Sequence, residues 1–277
     1  MLEIPETTTI AQQANQTLVG KTITRVINAT SPHKFAWYNG DPLAYPTLLT
    51  GRQIEHANGH GMFVDLHLDI DTHITVGDGT NLRFGTPFDK QPAKHQLLLE
   101  FDDGSFLAFT VAMYGMIYAY KGAHNDEKYY GGSLNSVSPL SDEFDKNFFE
   151  SIFRSVKKDL SAKALLATEQ RIPGLGNGTL QDILFNSGIN PRRKMLTISD
   201  LEKEDLFHNL KFNLQSMADK SGRDTERDLF GNAGGYKTIL SKNTYKDPCP
   251  NCGDTIVKEA FLGGSVYYCL SCQPLKK

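Results

Sequence analysis

The sequence lacks the positive charge expected of a chain that lives on polyanions. Its 277 residues carry 29 Lys and Arg against 32 Asp and Glu, a net charge of −3. Duplex binding is driven largely by Lys and Arg displacing phosphate counterions, so any nucleic-acid surface has to be a local patch. No apolar run approaches the ~20 residues of a membrane helix, and there is no basic-then-apolar leader at the N-terminus. The expected location is therefore cytoplasmic. Tryptophan is nearly missing: Trp37 is the only one, and burial in a core is its expected fate. Cysteine is scarce too, with four in all and none outside residues 249–272.

With 39% hydrophobic and 22% charged residues, the composition is that of an ordinary soluble protein, long enough for more than one core. "MLEIPE" stands ahead of a short first helix, in which Ile10, Ala14 and Leu18 recur at helical spacing and Gly20 supplies the stop. From Lys21 to about Ala119 the pattern is that of strands: "TITRVINA", "MFVDLHLDI", "HITVG", "KHQLLLEF" and "FLAFTVAMYGMIYAY". Several strands with turn residues between them predict a sandwich or barrel. A polar Gly-, Ser- and Asn-rich stretch near residues 121–141 reads as a linker. Helical periods follow, with Phe149, Ile152, Phe153 and Val156 on one face and a Ser199/Glu202 capping box opening a later helix. Residues 151–194 hold the local basic patch, with Arg154, Lys157, Lys158, Lys163, Arg171, Arg192, Arg193 and Lys194 against three acids, although a solvated helical surface has the same composition.

The four cysteines are spaced C-x2-C, then a gap of 16 residues, then C-x2-C. Two such pairs suit one tetrahedral Zn²⁺ bound by Cys249, Cys252, Cys269 and Cys272, with the intervening segment a hairpin turned by Gly263 and Gly264. Upstream, "RIPGLGNG" separates two helical stretches. Glycine-rich backbone before a helix N-terminus offers N–H groups to an anion, but an ordinary interhelical turn looks the same, and the Lys-Ser/Thr of a P-loop is missing.

Taken together, the N-terminal "x-E-x-P-E", the strand-rich first half, "RIPGLGN" between helices and the C-terminal cysteine pairs resemble, in order and over nearly the whole chain, the formamidopyrimidine-DNA glycosylase/endonuclease VIII family. The resemblance implies an α+β fold: an N-terminal β-sandwich with flanking helices over residues 1–125, a helix–two-turn–helix domain over 140–241 and a zinc-ribbon finger over 242–277. It implies a monomeric DNA-repair protein with one structural Zn²⁺, binding damaged or distorted duplex DNA in a cleft. It assigns Asn177 to a phosphate and makes Tyr114 the wedging aromatic. Arg171 and Arg223 are further DNA-binding candidates, the latter in the loop "SGRDTERDLFGNAGGY" around an everted base.

In that family the residue after the initiator methionine is a proline whose secondary amine attacks C1′ of the sugar, and two carboxylates beside it handle protons. The carboxylates match Glu3 and Glu6, and "MLEIPE" reads as an active-site strand end. The proline is replaced by Leu2, whose nitrogen is an amide if Met1 is kept, with its lone pair delocalised. The family's hairpin lysine falls near Met62, its finger-tip arginine at Gly264, and its hole-filling methionine and arginine at Asp78 and Met113. His60 is the nearest cation candidate in the hairpin. Three readings remain: a hydrolytic glycosylase using Glu3 with Glu6, a lyase whose nucleophile is the Met1 amine, and a catalytically inactive protein that binds damaged or structured DNA, or RNA.

Overall fold

The computed structural model describes residues 1–124 and 129–276. Alternating apolar positions build one seven-stranded sheet from β1 (Ile23–Asn28), β2 (Ala36–Tyr38), β3 (Ile54–His60), β4 (Phe63–Leu68), β5 (Thr72–Gly85), β6 (Leu97–Phe101) and β7 (Phe106–Lys121). The order is β1-β6-β7-β5-β4-β3, with β2 lying parallel on β7. The long central pair, β5 and β7, shifts register between Asp78 and Thr80. A bulge of this kind bends and twists a ladder, and residues from the two ends of the sheet share one core: Val26, Leu97 and Leu99 pack with Ile54, Val64 and Leu66. The sheet is thereby folded over as a sandwich.

The first helix, α1 (Ile4–Thr17), begins inside "MLEIPE" rather than after it, with Pro5 in its first turn. Proline is tolerated there because the N–H it lacks would have no helical partner. That segment is a helix start, not a strand end. The helix also joins two cores, since Ile4 packs among the C-terminal helices while Ile10 and Ala14 pack on the sandwich. Strand β3 is not legible in the sequence because only Ile54 and Ala57 of its seven residues are buried. Trp37, expected inside, is 49% exposed; it sits on the short strand β2, at the rim of the sheet. A five-residue helix, α2 (Tyr45–Leu49), precedes β3, and the expected linker contains another, α3 (Tyr130–Leu134); residues 125–128 of that linker lie outside the described residues.

The second core is helical: α4 (Lys146–Arg154), α5 (Ala162–Ala167), α6 (Asn177–Asn186) and α7 (Asp200–Asp219) bury Phe149, Leu165, Ile183 and Leu210 together. The Ser199/Glu202 capping box is present at the start of α7. Beyond it, a long segment without helix or strand is held by Asp182 of α6, whose carboxylate accepts N–H bonds from Ile239 (2.9 Å) and Leu240 (2.8 Å). The chain ends in the hairpin β8 (Ile256–Phe261) and β9 (Gly264–Cys269). Its turn residues are Leu262 and Gly263, both at positive φ (47° and 78°), while Gly264 already belongs to β9. The turn is one residue earlier than its glycine pair suggests. Among the described residues no helix is long and apolar enough to cross a membrane.

Candidate functional site

The N-terminus of the chain lies between the sandwich and the helices. Glu3 is the N-cap residue of α1, yet its side chain makes no cap bond there. It points instead at the N-terminus of α6, where its two oxygens accept the N–H groups of Gly178 (2.9 Å) and Thr179 (2.8 Å). The glycine-rich turn thus does present N–H groups to an anion, and that anion is the protein's own carboxylate. Adding a Cβ at Gly176 or Gly178 would bring it within 3 Å of Glu3, so both glycines are needed for this approach.

Glu3 shares a guanidinium with Glu6. Arg223 lies 3.3 Å from Glu3 Oε1 and binds Glu6 through Nη2 (2.7 Å) and Nε (3.0 Å), and all three side chains are buried. Burial pushes the Glu3 carboxyl upward, but Arg223 and the Thr179 and Gly178 bonds outweigh it and hold Glu3 below the usual carboxylate range. Two expectations change. Arg223 does not face a DNA surface; it is an internal counter-ion. Glu6 is spent on Arg223, from whose backbone N–H it also accepts (3.1 Å), which leaves it poorly placed to move protons.

The α-ammonium of Met1 is ion-paired with Glu226 of the same loop that supplies Arg223. The loop expected to embrace a base therefore turns two of its charged residues inward to fix the N-terminus. Leu2 is buried, and its nitrogen donates to the backbone carbonyl of Asp78 (2.8 Å). Arg171 also departs from expectation. Its Nη1 donates to the carbonyls of Ala164 (3.0 Å) and Thr168 (3.2 Å), capping the end of α5, and its Nη2 pairs with Glu169. A cation at a helix C-terminus is favourable, and this one is used up there.

Asn177 opens α6 and donates Nδ2 to the Ser265 carbonyl of the finger (2.7 Å), while its Oδ1 is buried with no partner among the described residues. Lys163 reaches the finger as well, at the Phe261 carbonyl (2.5 Å). Tyr114 is half-exposed, with its hydroxyl 3.9 Å from the Met1 sulfur and its ring 6.0 Å from Trp37. His60 is not a free cation: it pairs with buried Asp65 (2.7 Å), which also accepts from Tyr130 (2.8 Å).

Met1, Glu3, Asp78, Tyr114, Lys163, Asn177 and Gly264 line one hollow in this cleft. Sequence reasoning gave Asp78 no role of its own and missed Glu226; each contact joins positions far apart in the chain. The Asp78 carboxyl is pushed up to about 6, chiefly by burial and further by the charge of Glu3, against the pull of the N-terminal ammonium. A folded value above the usual 3.8 means that Asp78 favours folding while protonated and that this contribution fades as pH rises from about 4 through about 6. Asp78→Asn should accordingly raise the melting temperature more at pH 8 than at pH 4; an equal change at both would show the carboxyl to be unperturbed.

At the far end, the four cysteine sulfurs lie within 4.8 Å of one another. Cys249–Cys272 (3.7 Å) and Cys252–Cys269 (3.4 Å) are too far apart for disulfides and close to the ~3.8 Å that tetrahedral Zn–S bonds of about 2.3 Å require. The donor set fits zinc.

Comparison with known proteins bears on the same elements. The sequence profile described as the formamidopyrimidine-DNA glycosylase N-terminal domain matches residues 1–129. A formamidopyrimidine-DNA glycosylase of Lactobacillus delbrueckii subsp. bulgaricus is 27% identical over 288 residues, covering 99% of each chain. The chain is similar to formamidopyrimidine-DNA glycosylases over its whole length. Solved structures agree on the fold. The MutM (Fpg) protein of Thermus thermophilus superposes with a TM-score of 0.79 at 22% identity, over 99% of this chain and 100% of that one. Lactococcus lactis Fpg, solved with DNA containing N7-benzyl-Fapy-dG, gives 0.81 at 22% identity over 98% and 99%. Within this shared fold, the cleft here is built around an ion-paired N-terminus and a glutamate held by α6.

Proposed function

We propose that the protein is a DNA-repair glycosylase that acts on damaged or distorted duplex DNA by hydrolysis, with Glu3 as the group that faces the reacting sugar carbon. The observation that carries this reading is the placement of Glu3: an ionised, fully oriented carboxylate at the wall of the cleft, one residue from a backbone nitrogen whose lone pair is delocalised into a carbonyl and whose hydrogen is already donated to Asp78. An imine at position 2 is closed to this chain. The Met1 nitrogen is engaged by Glu226.

In the proposed reaction the C1′–N bond breaks, the electron pair leaves on the base nitrogen, and a proton neutralises the departing base. Positive charge grows at C1′, where the fixed negative charge of Glu3 stabilises it. A water oxygen then bonds to C1′ and releases its proton. Because Arg223 and the α6 N–H groups hold Glu3 ionised, it serves as electrostatic partner and water-orienting acceptor rather than as a strong base. Glu6 and Arg223 position it. Zn²⁺ held by the four cysteines supplies folding energy to the finger and no chemistry at the sugar.

DNA is the favoured partner by analogy with the Lactococcus lactis relative, whose solved complexes contain damaged or abasic-site DNA. Asn177 would reach a phosphate by releasing the Ser265 carbonyl, and Tyr114 would stack in the duplex. With Arg171 and Arg223 internal and glycine at the finger tip, none of these three positions would add to the salt dependence of binding.

The test is release of free base from duplexes carrying oxidised, ring-opened or alkylated bases, read by mass spectrometry. Native protein should release at least one such base. Glu3→Gln should lower the rate by about 100-fold or more with DNA affinity retained. Undiminished release by that variant would remove Glu3 from the chemistry, and no release from any duplex that is nonetheless bound would leave a binding protein.

A further inference from the structure

The outer face of the sandwich carries a row of rings. Strands β3, β4, β5 and β7 are neighbours in the sheet, and His56, His67, His73 and Tyr120 lie directly opposite one another across them. Alternation along a strand decides where they point: Leu66, Leu68 and Ile74, the chain neighbours of His67 and His73, are in the core, so the two histidines face outward. None of the three histidines lines the hollow that contains Glu3.

At the centre of the row two nitrogens meet. Nδ1 of His67 lies 3.1 Å from Nδ1 of His73, with the ring centroids 4.9 Å apart and the planes at 87°. Rings joined by a straight N–H···N bond of that length would have centroids about 5.4 Å apart, because each nitrogen stands about 1.15 Å from its ring centre. Metal–N bonds of about 2.0–2.1 Å that meet at about 100° instead place the nitrogens about 3.1 Å and the centroids about 4.8 Å apart. The observed pair matches the second arrangement.

The far nitrogens are held as well. His73 Nε2 lies 3.1 Å from Asp71 Oδ1, and His67 Nε2 lies 3.3 Å from the Asn58 side-chain amide, whose oxygen reaches the same place by a half-turn of the amide. With Nε2–H donated to these groups, each ring keeps a lone pair on Nδ1, the tautomer that a metal at Nδ1 requires. His56 stacks flat on His67 (4.0 Å, 8°) and Tyr120 stacks on His73 (5.3 Å, 26°). The Tyr120 hydroxyl is itself fixed by Thr75 (2.9 Å) and Tyr130 (3.3 Å). Both imidazole planes are thus set before an ion arrives.

We infer that His67 and His73 form a site for one divalent transition-metal ion of the kind that prefers imidazole, such as Ni²⁺, Cu²⁺ or Zn²⁺, with water completing its coordination. Ca²⁺ and Mg²⁺ take oxygen ligands and do not suit it. The ion joins the adjacent strands β4 and β5, so it binds the folded chain in preference to the unfolded one and stabilises it. Two side chains hold an ion loosely, so purified protein keeps only the zinc of the finger. The site is separate from the Glu3 chemistry and stands whether or not base release is observed.

The probe is Ni²⁺, titrated calorimetrically into zinc-loaded full-length protein at pH 7.5 in a non-coordinating buffer. One equivalent should bind saturably, raise the melting temperature, and broaden the NMR ring signals of His56, His67 and His73 ahead of that of His208, an exposed histidine on α7. His67→Asn and His73→Asn should each weaken binding at least tenfold and abolish the thermal shift, whereas His208→Asn should do neither. Mg²⁺ should leave every readout unchanged. Native affinity in the His67 and His73 variants, or no saturable Ni²⁺ binding by the native protein, means that the two rings share only a hydrogen bond and overturns the inference. Broadening spread evenly over all histidines of the native protein overturns it whatever the variants do.

Discussion

Replacing Arg223 by alanine is expected to destabilise the protein by about 3–5 kcal/mol, the usual cost of removing one partner from a buried ion pair. Two buried carboxylates, Glu3 and Glu6, would lose their shared counter-ion. Against a typical total of about 5–15 kcal/mol for a native protein, that is a large loss. It should also depend on pH in a defined direction. Arg223 and the α6 N–H bonds hold Glu3 below the usual carboxylate range; without the guanidinium, burial raises the Glu3 carboxyl, and the variant does better where it can take a proton. Urea denaturation at pH 5 and pH 8 should therefore give the larger deficit at pH 8. A change below about 1 kcal/mol, in the range of an exposed pair, would mean that the cluster is hydrated and that Glu3 is not held as described.

The second large effect concerns the metal. The finger buries little on its own: its cluster comprises Phe185, Leu240, Ile256, Tyr267 and two of the cysteines, too few apolar side chains to fold a hairpin without a cross-link. Chelation, or Cys269→Ser, should unfold residues beyond about 248 while the sandwich core remains intact. One equivalent of zinc per chain is expected by elemental analysis. Since Asn177, Gln181 and Lys163 all bond to the hairpin backbone, its loss would also release the α6 end of the cleft, and DNA affinity should fall at least tenfold. Retention of native hydrogen-exchange protection in β8 and β9 after complete metal removal would contradict this account.

The sequence carries some of this architecture openly. Cysteine spacing announces the metal site, because zinc geometry allows few alternatives. The period-2 runs of β5 and β7 and the Ser199/Glu202 box are legible because local rules produce them. What does not show is direction. The sequence says that Arg171 and Arg223 are cations, but not that one caps its own helix and the other enters a core, because a charge that is solvated and a charge that is paired are written with the same letter. The contact between Glu6 and Arg223 spans 217 positions, and that between Met1 and Glu226 spans 225; no periodicity reports such pairs. Trp37 departs from expectation for the opposite reason, since general preference says buried, and only the rim position of β2 says otherwise.

These details converge on one chemical statement. The fold brings the N-terminus to the cleft, but the nitrogen at position 2 is a hydrogen-bonded amide and the one at position 1 is an ion-paired ammonium, while Glu3 remains ionised and aimed. On the proposed reading, this arrangement serves charge stabilisation and not imine formation.

Borohydride trapping on a duplex with an abasic site, read together with the intact mass of the protein, tests this most directly. The account predicts no covalent protein–DNA adduct under conditions in which the duplex is bound. An abundant adduct mapped to the N-terminal residue would contradict it.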